Sequence, residues 1–180
     1  RYNDKEVASE YLSLAMDSNE DANSFILTSD FADAIFESRS NLKEVLSYMK
    51  AMLGRYLPLL DEVQMSAGEA VAAEAEPDKR DHNFSLFSVT TKRFNPIADA
   101  ISSGLQIADG STAQVLLDPI SNLFMMRAHS DYIERDRLLA MKLNLNVSNS
   151  RKDSLTTKLT AEDFYMGTLH LPDLEMKCGM

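Results

Sequence analysis

Residues 41–60, NLKEVLSYMKAMLGRYLPLL, hold the strongest periodic pattern in the chain. Leu42, Val45, Leu46, Met49, Met52, Leu53, Tyr56 and Leu57 recur at three- and four-residue intervals, the spacing of one face of an α-helix. Lys43, Glu44, Ser47, Lys50 and Arg55 fill the remaining faces, and Asn41 with Glu44 has the form of a capping box that opens the helix. Pro58 ends or kinks it, because proline removes a backbone donor and clashes with the preceding turn. A stripe of this kind predicts neighbouring helices that cover it.

The flanking segments supply candidates. Val7, Ala8, Tyr11, Leu12, Ala15 and Met16 predict a first helix over 5–16, with Asp4 as its cap. Phe31, Ala34 and Ile35 predict a short second helix over 31–38, after an apolar run at 25–27 that reads either as a strand or as a lead-in to that helix. Leu60, Val63, Ala67, Ala70 and Val71 continue the helical spacing over 59–75, where the chain becomes alanine-rich and passes into PDKRD at 77–81.

Beyond that point the texture changes. Residues 82–91, HNFSLFSVTT, are rich in β-branched and aromatic side chains and predict a strand. Asn95 and Pro96 start a helix whose stripe, Ile97, Ala100, Ile101, Leu105 and Ala108, stops at Gly110. Ser111 with Gln114 predicts a short helix to Leu117, Asp118 and Pro119 a further one to Arg127, and residues 130–141 another. Arg127, Asp131 and Arg135 stand four apart, as in a solvated ladder of alternating charge. Met141, Leu143, Leu145 and Val147 then alternate with polar residues, the period of a half-buried strand. NSRKDS at 149–154 makes a turn and Leu155, Thr157 and Leu159 a returning strand, followed by a helical turn at 161–166, a third strand at 168–171 and a frayed tail.

The fold class these elements predict is α+β, mainly α. An N-terminal helical bundle over 1–76 precedes an α+β half over 77–180, with three helices and then a small antiparallel hairpin or sheet near the C-terminus; one continuous domain is the alternative division.

Composition narrows the functional classes. With 28 acidic and 18 basic residues the net charge is −10, which repels nucleic acid and anionic lipid. Three helices followed by a hairpin whose turn carries Arg151 and Lys152 nevertheless have the order of a winged helix over 94–160, kept as an alternative. No apolar run approaches the length of a membrane helix, so no membrane insertion is expected. A single cysteine, Cys178, excludes an internal disulfide and points to a reducing, cytoplasmic setting, although a chain that begins at Arg1 has the form of a trimmed fragment, which leaves room for an upstream targeting segment.

The chemistry is read mostly from what is missing. His82, His129 and His170 lie far apart without ligand spacing, and no phosphate-cradling glycine loop or nucleophile elbow occurs. Asp17, Asn19, Asp21 and Asn23 match the first half of a calcium loop, but Ala22 replaces its glycine and Thr28 its glutamate. No catalytic, cofactor or metal residue, and no small-molecule substrate, is therefore assigned. Ten methionines remain; Met49 and Met52 in the central stripe, and the adjacent Met125 and Met126, are the candidate partner-contact surface. The expectation is a non-enzymatic interaction module, scaffold, adaptor or assembly subunit that binds a protein partner or itself. A hydrolase built on a carboxylate or on a histidine such as His129 or His170 is the further alternative.

Overall fold

The computed structural model describes residues 8–18, 22–39, 84–118, 121–151 and 154–179. They form an antiparallel β-sheet with one short helix, which corrects the mainly helical reading. Strands β1 (Leu12–Ser18), β2 (Asn23–Ser29), β3 (Ala32–Ser38), β4 (Ser85–Thr91), β5 (Gln106–Ile107), β6 (Thr112–Asp118), β7 (Leu123–Arg135), β8 (Leu138–Arg151), β9 (Ser154–Met166) and β10 (Leu169–Gly179) are joined, between β4 and β5, by helix α1 (Asn95–Ile101). The spatial order is β1-β2-β3-β4-β6-β7-β8-β9-β10, with β5 beside the far end of β7. Every pairing is antiparallel and the order follows the chain, so this is an up-and-down meander whose first and last strands are its edges.

Register separates the side chains into two faces. Phe25, Phe36, Phe87, Val115, Met126 and Val147 are successive cross-strand partners and therefore share one face, here called inner. Phe36, Leu117, Phe124 and Leu155, all of this parity, form the buried cluster, with Phe25, Val115, Met126 and Val147 packed against it. Truncating one of the four to alanine removes about 2–5 kcal/mol. Hydroxyls buried on the same face are satisfied in pairs: Ser38 meets Ser85 at 2.6 Å and Ser111 meets Ser130 at 2.7 Å. The outer face is polar over its middle strands, where Gln114, Arg127, Asn146 and Lys158 stand in register.

The helices predicted over 31–38, 111–117, 119–127, 130–141 and 161–166 are, in the described residues, parts of β3, β6, β7, β8 and β9, and 12–16 of the predicted first helix lies in β1. A spacing of four is even, so Arg127, Asp131 and Arg135 share a face in a strand as they would on a helix. What separates the two readings is the turn. Asp136 adopts φ 55 between β7 and β8, a left-handed position that aspartate tolerates, and it folds the predicted helix into a hairpin. Asp118, taken as a helix start, instead accepts from the Ser121 amide at 3.3 Å and the Ser121 hydroxyl at 2.6 Å, forming a side-chain turn into β7. The tail expected to fray is β10, paired with β9 through Gly179.

Other segments match their patterns. The alternation at 141–148 lies in β8, its return at 155–159 in β9, the aromatic run at 85–91 in β4, and the Asn95 to Pro96 start opens α1. Helix α1 is shorter than its stripe: Ser102 leaves helical geometry and Gly104, at φ 77, turns the chain into β5. The predicted helices over 41–57 and 59–75, with Met49 and Met52, lie outside the described residues. No helix among the described residues is long and apolar enough to cross a membrane.

Candidate functional site

The two edges of the sheet differ in kind. Strand β1, LSLAMDS, alternates Leu12, Leu14 and Met16 with Ser13, Ala15 and Asp17, and all seven residues are exposed. Leu12, Leu14 and Met16 keep 68%, 53% and 74% of their surface in solvent, although their register places them on the apolar inner face beside Phe25 and Leu27. The strand holds neither proline nor lysine, and Asp17 is its one charge. Among the described residues such a strand leaves a row of unpaired backbone donors and acceptors next to apolar side chains, with few of the devices that ordinarily blunt an edge.

Strand β10 carries those devices. Pro172 withholds a backbone donor, Asp173 takes φ 51, and Lys177 and Lys158 hold Glu175 at 2.5 and 3.4 Å. The Lys177 hydrogen bond, with Lys158 behind it, lowers the Glu175 carboxyl below its usual range. One edge is guarded and the other is open.

The open edge is braced from beneath. The Ser9 hydroxyl donates to Asp30 at 2.6 Å, the Glu10 amide donates to the same carboxylate at 3.3 Å, and Arg93 from the segment after β4 reaches it at 2.9 Å and Glu10 at 3.1 Å. These bonds, the Ser9 hydroxyl first, lower the Asp30 carboxyl to about 2. Lys92 donates to Asp33 at 2.7 Å, to the Tyr11 hydroxyl at 3.2 Å and to the Ser29 carbonyl at 3.1 Å, and the Asp33 bond raises its ammonium above the ordinary lysine range. Residues 9–11 are thereby fixed across the β2–β3 hairpin to β4, and the chain enters β1 along a set path.

Elsewhere on the outer face, Thr112, Gln114, Arg127, His129, Asn144 and Asn146 line a shallow polar depression of about 260 Å³. Asn144 donates its amide to the Lys142 carbonyl at 3.0 Å, which turns its oxygen to His129 Nδ1 at 2.9 Å and makes that nitrogen the donor. His129 Nε2 lies 3.5 Å from Asp131. On the inner face His170 Nε2 meets Asp163 at 2.6 Å and its ring stacks on Tyr165 with centroids 4.3 Å apart. Both pairs sit on open strand surfaces, His129 at 48% and His170 at 44% side-chain exposure, and His82 is outside the described residues.

Strand alternation also separates the adjacent methionines: Met126 packs against the inner core cluster, and Met125 faces outward, half-buried, beside Leu116 and Ser148. Among the described residues the three helices needed for a winged helix over 96–141 are not present: beyond α1, strands β5, β6, β7 and the start of β8 run through this stretch. The residues that distinguish the open edge, Leu12, Leu14 and Met16, were read as part of a helix. The signal for them was the alternation of Leu12, Leu14 and Met16 with the smaller or polar Ser13, Ala15 and Asp17, although Leu14, at i+7 from Val7 and i+3 from Tyr11, fits a helical face as well. No family model, curated protein or solved structure matches the chain.

Proposed function

We propose that the chain is a non-enzymatic protein-interaction module that takes an extended segment of a protein partner as an added strand along β1. The observation that carries this reading is the pairing of an unguarded backbone edge with a fully exposed apolar row, Leu12, Leu14 and Met16, on a braced strand. Strand addition draws affinity from main-chain hydrogen bonds and selectivity from alternate side chains, and β1 offers both. The guarded β10 edge directs the partner to one side of the sheet. The exposed setting of the two histidine and aspartate pairs favours this reading over a hydrolase, whose chemistry profits from excluding water.

The test uses labelled peptides with alternating valine and threonine, followed by fluorescence anisotropy against the full chain. In an antiparallel ladder, alternate residues direct their N–H outward. Of Ala15→Pro and Met16→Pro, one therefore removes an outward donor and leaves the β1–β2 ladder intact. The expected result is that binding is lost in whichever variant keeps the wild-type melting temperature, and survives Lys177→Pro on the opposite edge. Binding that persists in both β1 variants, or is lost only with Lys177→Pro, overturns the reading.

A further inference from the structure

The charge around the open edge is predominantly acidic. Residues 8–18 and 22–39 contain Glu10, Asp17, Asp30, Asp33 and Glu37 against one cation, Arg39, whose guanidinium lies over the Phe84 ring at 5.7 Å. Three of these acids are matched from the segment after β4: Arg93 takes Glu10 and Asp30, and Lys92 takes Asp33. Asp17 and Glu37 have no ion-pair partner among the described residues. Register places them together, because Asp17 opposes Ser24 and Ser24 opposes Glu37, so both stand on the outer face in one row that begins at the edge. Both are exposed. With strands about 4.8 Å apart, a lysine or arginine on an added strand opposite Asp17 lies within reach of the first carboxylate, and its long stem carries its charge towards the second.

We infer that the partner strand that β1 takes alternates apolar residues with basic ones, its apolar row continuing the inner face beside Leu12, Leu14 and Met16 and its lysine or arginine side chains lying against Asp17 and directed towards Glu37. This inference rests on β1 being the recognition edge. A second copy of the chain fits the edge less well, since it brings Asp17 and Glu37 of its own and a further net charge of −10 to the same junction. A neutral apolar strand would satisfy the inner row and leave the outer acids uncompensated.

The experiment uses three labelled peptides with the same apolar row and with lysine, serine or glutamate at the outer-face positions, titrated into the full chain at low and high salt. At low salt the lysine peptide is expected to bind about tenfold more tightly than the glutamate peptide, with serine between them, and the gap narrows at high salt. The double variant Asp17→Asn, Glu37→Gln is expected to bring lysine and glutamate peptides within about threefold of one another. Equal affinity for all three peptides, each lost on blocking β1 with proline, overturns the charge assignment and leaves the edge reading standing. A lysine preference that survives the double variant overturns it as well. No binding by any peptide overturns the edge reading itself, and so does a stable dimer in sedimentation with β1 protected in the absence of peptide.

Discussion

Asn149 provides a sharp energetic test of the sheet. It is 6% exposed at the end of β8 and spans the β6–β7 turn: its Oδ1 accepts from the Phe124 amide at 2.6 Å and its Nδ2 donates to the Asn122 carbonyl. Phe124 belongs to the buried cluster, and Asn122 sits at φ 52, a left-handed conformation that the bond to Asn149 helps to hold. Asn149→Ala removes both bonds and leaves the Phe124 amide without that acceptor. At about 1–1.5 kcal/mol for each bond plus the cost of a buried unmet donor, the expected loss is about 2–4 kcal/mol. For a slope of about 2 kcal/mol per molar urea, the midpoint falls by about 1–2 M. Equilibrium urea unfolding followed by far-ultraviolet circular dichroism reads this directly. Asn149→Asp keeps an acceptor for Phe124 but faces a carboxylate towards the Asn122 carbonyl, and is expected to be at least as damaging near neutral pH. A loss below about 1 kcal/mol for Asn149→Ala, with the slope unchanged, refutes the claim that these bonds hold the β6–β7 turn.

Two further consequences follow from named residues. Asp30 is held at about 2, below its ordinary 3.8, so its contribution is complete above the ordinary carboxylate range and is lost as pH falls through that interval. An acid titration of the melting temperature should therefore be flatter between these limits in Asp30→Asn than in wild type, and identical slopes would exclude the network as its source. Gly110 takes φ 78 and donates to the Thr91 carbonyl at 2.8 Å, while an added Cβ would meet open space. Gly110→Ala should thus cost only the backbone strain, about 1 kcal/mol by thermal unfolding, and Gly110→Asn less; a larger loss would mean that a contact has been missed.

Strands were legible where the residues left one period open. Met141, Leu143, Leu145 and Val147 alternate with Lys142, Asn144, Asn146 and Ser148, and no helical stripe fits them. Where spacing was even, as for Arg127, Asp131 and Arg135, the residues satisfied both periods and only the turn at Asp136 distinguished them. That turn lacks the Asn-Gly or Asp-Gly signature, so the hairpin was hidden. Phe31 to Ser38 has two alanines and short polar residues that tolerate a helix; pairing with β2 and β4 decides its state. The open edge had a local signal in Leu12, Leu14 and Met16. That β1 stands at the border of the sheet is a property of topology, which pairs Ala32 with Thr91 across a long separation in the chain and which no local pattern encodes.

Strand addition at β1 is read residue by residue by amide hydrogen exchange across Leu12–Ser18 in the full chain, alone and saturated with the lysine-bearing strand peptide. Alternate amides of β1 are expected to exchange at nearly open rates in the free protein and to become protected in the complex, with β10 unchanged. Uniform protection of β1 in the free chain, or protection that appears at β10 instead, would contradict it.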